Sequence, residues 1–476
     1  MTAARRILSW TALLASALAL RLGLALGTPN VFFPDEIFQT LEPAHRLAFG
    51  YGVVSWEWRL GIRSWVFPAL LAGIMRLSAW IAPGSAGYLL AIQIVLALLS
   101  LTTVWFGYAW AKRASGTPAA IIAALGCSFY FGLVYFAPKA LTEVVAAHIL
   151  LPGLYLGHYA EKPGERGRMF GAGLLCALAA CLRVQLLPAL LFATIYFCVP
   201  RWRQRVPSLA AGAALPVLLF GAADWISWAS PWHSFIGVFM ANLVHGTGKD
   251  LSLHQPWYWF LLVLPILLGP ALLLLVHGAR RSPFLAIFSA IVVVAHSLIP
   301  HKELRYIYPI LAPAVVLAAI GFVELTAELC RGKGLFSRPR WIVASGAAVL
   351  FASSALLALL CTGWCATRWG AAAFDRIGSQ PSLCGVGLHG VMYWESGGYA
   401  HLHREVPIVP TDSPASLRQD APLFNALIAP QQSSDIPPAF TPAQCWSRIC
   451  VWQRPGGCQA PRPDQELNEY LKKAGL

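Results

Sequence analysis

Charge is what this chain has least of. Asp, Glu, Lys and Arg make up 12% of its 476 residues, while 57% are hydrophobic, well above the apolar share of a soluble globular domain. That excludes a soluble enzyme or binding module. Acids are the rarer sign: 21 Asp and Glu stand against 35 Lys and Arg, a formal +14. In a soluble protein that excess would point to nucleic acid; here it is expected to sort among membrane loops, with no nucleic-acid partner. No small-residue cleavage pattern follows the first apolar stretch, Ile7 to about Gly27, which also carries Arg21. It is expected to stay as a retained helix. The internal repeats and mid-span polar residues that a polytopic lipid transporter would carry are missing too. Cys445, Cys450 and Cys458 lack the spacing of a zinc site, so neither a metal nor a cofactor is expected.

What is present is a series of apolar spans separated by basic clusters: Arg5-Arg6, Lys112-Arg113, Lys162-Arg166-Arg168, Arg201-Arg203-Arg205, Arg280-Arg281 and Arg331-Lys333-Arg338-Arg340. Cytoplasmic loops collect such charge. One arrangement places all six clusters on that side. It lays the segment 64–82, with Pro68 and Arg76 inside it, on the membrane surface, and crosses at about 7–27, 87–111, 117–137, 140–160, 169–184, 187–200, 207–228, 257–278, 283–299, 306–327 and 341–364. The chain is thus expected to be an all-α polytopic membrane protein of about 11 transmembrane helices. The opposite, extracytoplasmic face receives the loop 28–86 and the long loop 229–256. It also receives the short turns around Lys139, Arg183 and Lys302, and everything after residue 364.

From Cys365 the composition shifts to Pro, Gly, Ser and charge, with short apolar runs such as "VPIVP" and "RICVWQ". Residues 365–476 are expected to form a small α/β domain of parallel or mixed sheet. "YWESGGYAHLHR" is expected as a short helix within it. Four cysteines, 384, 445, 450 and 458, allow three disulfide pairings outside the cytoplasm. Residues 1–364 form the membrane module.

Three stretches carry chemistry. "FFPDEIFQTLE" (32–42) places Asp35 and Glu36 where the chain leaves the bilayer, although charge there is costly. Acids suit the first turn of a helix; a carboxylate near a dry interface also suits a general base. "SWEWRLGIRSW" (55–65) alternates aromatics and charge. Trp56 and Trp58 either anchor an interface or pack on sugar rings, with Glu57 and Arg63 on hydroxyls or phosphate. "HKELRYIYP" (301–309) sets His301, Lys302 and Arg305 on the side where cations are otherwise sparse. With Arg183 and Lys139 these suit a departing phosphate, although each alone also fits interfacial snorkelling. Gln185 follows Arg183 in the "RVQ" turn.

Together, "PDEIFQTLEPAHRLAFGYGVVSWEWRLGIRSW" (34–65) and "HKELRYIYP" resemble glycosyltransferase family 22, the mannosyltransferases of the GT-C fold that use a polyprenyl-phosphate-mannose donor; within it, the enzymes acting on the GPI anchor look most similar. The resemblance implies transfer of mannose to a glycan or glycolipid acceptor with inversion to an α-mannoside. It implies catalysis by Asp35, supported by Glu36, at an extracytoplasmic site. A transferase using another lipid-linked sugar is the alternative. Phe33 stands where many members have His, and "PKALTEVV" replaces an Arg-Thr element, which leaves the donor contacts open. The Ala- and Arg-rich chain with short loops points to a bacterial member in the inner membrane, or in the endoplasmic reticulum if eukaryotic.

Overall fold

The computed structural model describes residues 3–27, 31–241, 254–329, 339–360 and 368–475. The cluster at Arg331, Lys333 and Arg338, the middle of the loop 229–256, the end of the last span and the 364/365 boundary lie outside the described residues. The chain divides into two compact units: Met1–Gly27 with Gln93–Thr362, and Thr28–Ile92 with Gly363–Leu476.

The first unit is helical. Among the described residues six helices are long and apolar enough to cross a membrane: Ser9–Gly27, Ser85–Phe129, Val184–Trp228, Trp259–Arg281, Leu304–Leu329 and Pro339–Leu360. Two of these run 45 residues, about 68 Å at 1.5 Å per residue, twice the hydrocarbon thickness. Both are broken. Ser85–Phe129 leaves helical geometry at Ser115 and Gly116, where Gly116 takes φ 81°, and Pro118 restarts it. The other turns through a 3-10 segment, Val199–Arg201. Thr142–His158, Glu165–Leu182 and Pro283–Ser297 complete the bundle. Gly173 and Gly212 let Glu165–Leu182 and Trp202–Trp228 approach backbone to backbone; a Cβ at either would strike a carbonyl of the other helix.

Arg21, the charge inside the first apolar stretch, is fully buried. Its guanidinium donates to Ser100 Oγ (2.9 Å) and to the carbonyls of Ala17 (3.0 Å), Cys127 (2.9 Å) and Ser128 (2.9 Å). It ties the first helix to both arms of the next, and each of its three nitrogens donates to an acceptor inside the bundle, as a lipid-excluded cation requires. Cys127 and Cys198 are buried, and Cys176 and Cys181 partly so.

The second unit joins the acid-bearing loop to the C-terminal residues. Val66–Ala79, inside the doubtful 64–82 segment, has 14 residues, about 21 Å of helix, short of a crossing. It belongs to this unit. The sheet is mixed. Strands β1 (Val386–His389), β2 (Ile408–Thr411), β3 (Ala426–Pro430), β4 (Thr441–Trp446) and β5 (Ile449–Gln453) lie in the order β2-β1-β3-β5-β4. β1 is parallel to β2 and β3, with Val386 opposite Ile408 and Ala426; β5 runs antiparallel to both β3 and β4. Val409, Leu417, Phe424, Leu427 and Phe440 form the core. Cys384 pairs with Cys458 and Cys445 with Cys450. "YWESGGYAHLHR" is not one helix. It is a 3-10 turn, Tyr393–Glu395, then a short helix, Gly398–Leu402, because Gly397 and Gly398 interrupt it.

Polar groups hold the loop to the C-terminal part. Buried Glu42 accepts from the backbone N–H of Val53 and of Ala400. His45 meets the Tyr51 carbonyl at 2.9 Å and His403 at 3.1 Å, and the Tyr88 hydroxyl donates to the Ala400 carbonyl. Asn468 bridges the Gly52 carbonyl (3.1 Å) and the Val54 N–H (2.9 Å). Gly398, at φ 58°, lies so close to the Glu42 carboxyl that a side chain there would displace it.

Candidate active site

Each unit holds one cluster of the nominated residues. In the second unit, Asp35 starts a π-helical turn, Glu36–Leu41, without bonding that turn's backbone through its side chain. Its carboxylate is engaged instead by Gln39. The Gln39 amide donates to Asp35 Oδ1 and also to Glu57 Oε1, at 3.1 Å. Glu57 Oε1 in turn accepts from Arg63 at 2.6 Å. Asp35, Glu57 and Arg63 are thus joined through a residue that sequence reasoning passed over. Asp35 is half-buried and Glu36 buried.

The two tryptophans separate. Trp58 is 4% exposed, packs tilted against Trp65 at 4.3 Å and donates to the Gln39 carbonyl at 3.3 Å. That bond ties it to the acid turn. Trp56 is half-buried at the start of the helix Trp56–Arg59. Tyr393 packs its ring on Phe38 at 5.1 Å. Burial, then the charges of Glu57 and Asp35, push its hydroxyl up to about 12. No motif in the sequence pointed to Tyr393.

In the first unit the nominated cations meet around two carboxylates. Glu143, in the first turn of Thr142–His158, lies 3.1 Å from Arg183 and 3.6 Å from Arg305 through the same oxygen. Arg305 also grips Glu303 through Nε (2.9 Å) and Nη2 (3.0 Å), and Glu303 bonds His301 at 2.8 Å. Burial opposes ionisation of Glu303, but Arg305 and His301 hold its carboxyl well below the usual range. Both guanidinium groups lie over the Tyr306 ring, Arg183 at 4.6 Å and Arg305 at 5.5 Å, a cation–π platform. Lys302 differs. It is 4% exposed, and its ammonium donates to the carbonyls of Gln255 (3.0 Å) and Ile299 (2.6 Å); burial lowers its basicity. Lys139 lies 5.5 Å from the Tyr135 ring. Gln185 is half-buried in the 3-10 turn Val184–Leu186. Glu143 and Glu303 were not among the nominated residues; their signal was a carboxylate within four residues of a nominated cation.

Two guanidinium groups set around carboxylates can exchange those partners for a phosphate, which matches their planar donors. The same unit holds an apolar cavity of about 890 Å³. Ala180, Cys181, Leu187, Leu191, Trp232 and Phe235 help to line it, and Cys181 and Leu187 flank Arg183 in the chain. Among the described residues no three His, Cys, Asp or Glu side chains converge as a metal would require.

The profile of the Alg9-like mannosyltransferase family matches residues 12–369. GPI mannosyltransferase 3 of Yarrowia lipolytica is 28% identical over 408 residues, covering 82% of this chain and 74% of that protein. GPI mannosyltransferase 3 of Drosophila melanogaster is 30% identical over 314 residues, 62% of this chain and 53% of that protein. This chain thus matches from about half to three quarters of these relatives' length. In three dimensions it resembles ArnT from Cupriavidus metallidurans bound to undecaprenyl phosphate, with a TM-score of 0.61 and 12% identity over 97% of this chain and all of that one. The apo form of the same protein gives a TM-score of 0.63 at 13% identity, over 94% and 98% of the two chains. The chain belongs to the Alg9-like mannosyltransferase family and is an integral-membrane glycosyltransferase of the GT-C fold.

Proposed function

We propose that the chain transfers mannose from a polyprenyl-phosphate-mannose donor to a hydroxyl of a glycan or glycolipid acceptor, with inversion to an α-mannoside. The observation that carries this reading is the convergence of Arg183 and Arg305 on Glu143 and Tyr306, in a unit that also holds an apolar cavity. The cavity suits an isoprenoid chain and the guanidinium pair suits its phosphate. The names of the relatives support mannose, and the neighbouring fold is one that binds undecaprenyl phosphate. Asp35 takes the proton of the acceptor hydroxyl as its oxygen bonds the anomeric carbon. The bond from that carbon to the phosphate oxygen breaks, and the lipid phosphate leaves with the electron pair. Gln39 orients Asp35, and Glu36 has a supporting role. The site faces the extracytoplasmic side of a bacterial inner membrane, the side opposite the basic clusters.

The test is Asp35→Asn in the purified protein with synthetic polyprenyl-phosphate-mannose. The variant inserts and binds donor, but transfers at about a hundredth of the wild-type rate or less, since loss of a general base costs about 10²- to 10⁴-fold. Glu36→Gln loses less. Near-normal transfer by Asp35→Asn overturns the assignment.

A further inference from the structure

Beyond residue 369, where the family match ends, the chain returns to the acid turn. The segment after β1 presents Met392, Tyr393 and Trp394 in a row. Tyr393 reaches the turn through Phe38, 5.1 Å between ring centroids, and Trp394 lies edge-on to Tyr393 at 5.2 Å. Met392 and Trp394 are 56% and 37% exposed. The charges of Glu57 and Asp35 act on the Tyr393 hydroxyl.

The segment is rigid. Glu395 bonds the Met392 N–H through its side chain (2.9 Å) and the Met392 carbonyl through its own N–H (2.9 Å). Ser396 Oγ donates to the Tyr393 carbonyl at 2.6 Å. Gly370 brings the helix Arg368–Gly378 against the Glu395 carbonyl so closely that any side chain would collide. Glu42 pins Ala400 a few residues on. An exposed tryptophan set edge-on to a half-buried tyrosine near two carboxylates has the chemistry of a saccharide site. A pyranose offers an apolar C–H face to an aromatic ring, as amphipathic contacts require, and a rim of hydroxyls to carboxylates and phenols.

We propose that Tyr393 and Trp394 form the acceptor-sugar subsite, Trp394 stacking on the sugar ring and the Tyr393 hydroxyl bonding a sugar hydroxyl beside Asp35. The proposal rests on the reading of Asp35 as the base, and it assigns to residues outside the family match the choice of acceptor. The probe is methyl α-mannoside, titrated by saturation-transfer NMR against the full chain in lipid nanodiscs free of sugar detergents. The wild type binds saturably. Trp394→Ala and Tyr393→Phe weaken binding about two- to tenfold each, with unchanged melting temperature. Trp394→Phe retains part of the affinity. Asp35→Asn keeps binding whether or not it transfers, which separates failure of this subsite from failure of the base assignment. No saturable binding by wild type, or equal binding by Trp394→Ala, overturns the proposal.

Discussion

Arg183 and Glu143 form a buried ion pair, 3.1 Å apart, with side chains 6% and 1% exposed. Neither the helix start at Glu143 nor the helix end at Arg183 can release its charge to water, so each residue depends on the other. Removing one partner of a buried pair costs about 3–5 kcal/mol, whereas replacing both with apolar groups is often neutral. Glu143→Ala and Arg183→Ala are each expected to lower the melting temperature in nanodiscs. The double variant Glu143→Leu/Arg183→Met is expected to recover most of the loss. A double variant as unstable as the sum of the singles would show that the pair is not coupled.

The two cations of "HKELR" are expected to fail differently. Arg305→Ala removes charge beside Glu143 and Tyr306 and should cost roughly ten- to hundredfold in kcat/KM for the lipid-phosphate donor. Lys302→Ala strips donors from two carbonyls and should lower the melting temperature with little change in donor KM. Steady-state kinetics on both variants, paired with melts, separate the roles. The reverse pattern would make Lys302 the donor ligand.

Glu42 is expected to set a pH window for the second unit. Burial pushes its carboxyl from 4.5 up to about 7, against the Val53 and Ala400 N–H groups and the nearby His401. An unfolded chain releases the proton near 4.5 while the native one keeps it to about 7. The unfolded state therefore binds fewer protons in this interval, and stability falls as pH rises through it. The loss is on the order of 3 kcal/mol. The difference in melting temperature between wild type and Glu42→Gln should change between pH 4.5 and 7 and be flat on either side. A difference independent of pH would mean that Glu42 ionises at no cost.

The disulfides are expected to differ by loop length. Cys384–Cys458 closes 74 residues and Cys445–Cys450 only five. The loop-entropy relation gives about 4 and about 2 kcal/mol respectively. Cys384→Ser/Cys458→Ser should therefore lower the melting temperature more than Cys445→Ser/Cys450→Ser, as calorimetry of the full chain would read.

That the chain is a helical membrane protein with a small C-terminal sheet domain was legible in the sequence because hydropathy and charge act locally; the count of 11 spans was not matched, six helices among the described residues being long and apolar enough to cross. Asp35, Glu57 and Arg63 were nominated from residue type and do meet. The residues that organise them were not legible. Gln39 matters only because a π-helical turn carries its amide to two carboxylates. Lys302 and Arg305 look alike as letters, and packing alone sends one to carbonyls and the other to Glu143 and Glu303. Trp58 and Trp56 likewise share a motif but not an environment. The attachment of the loop to residues after 363 runs through backbone N–H groups, such as those of Val53 and Ala400, which leave no mark in side-chain chemistry.

That attachment has a consequence for how the chain is made. The second unit consists of an early segment, Thr28–Ile92, and a late one, Gly363–Leu476. About 270 residues are synthesised between them, which at about 5–20 residues per second takes tens of seconds. During that interval Glu42, His45 and Tyr88 have left the ribosome while Ala400 and His403 do not yet exist. The loop that carries Asp35 therefore gains its contacts with Ala400 and His403 only after the intervening membrane helices have been made.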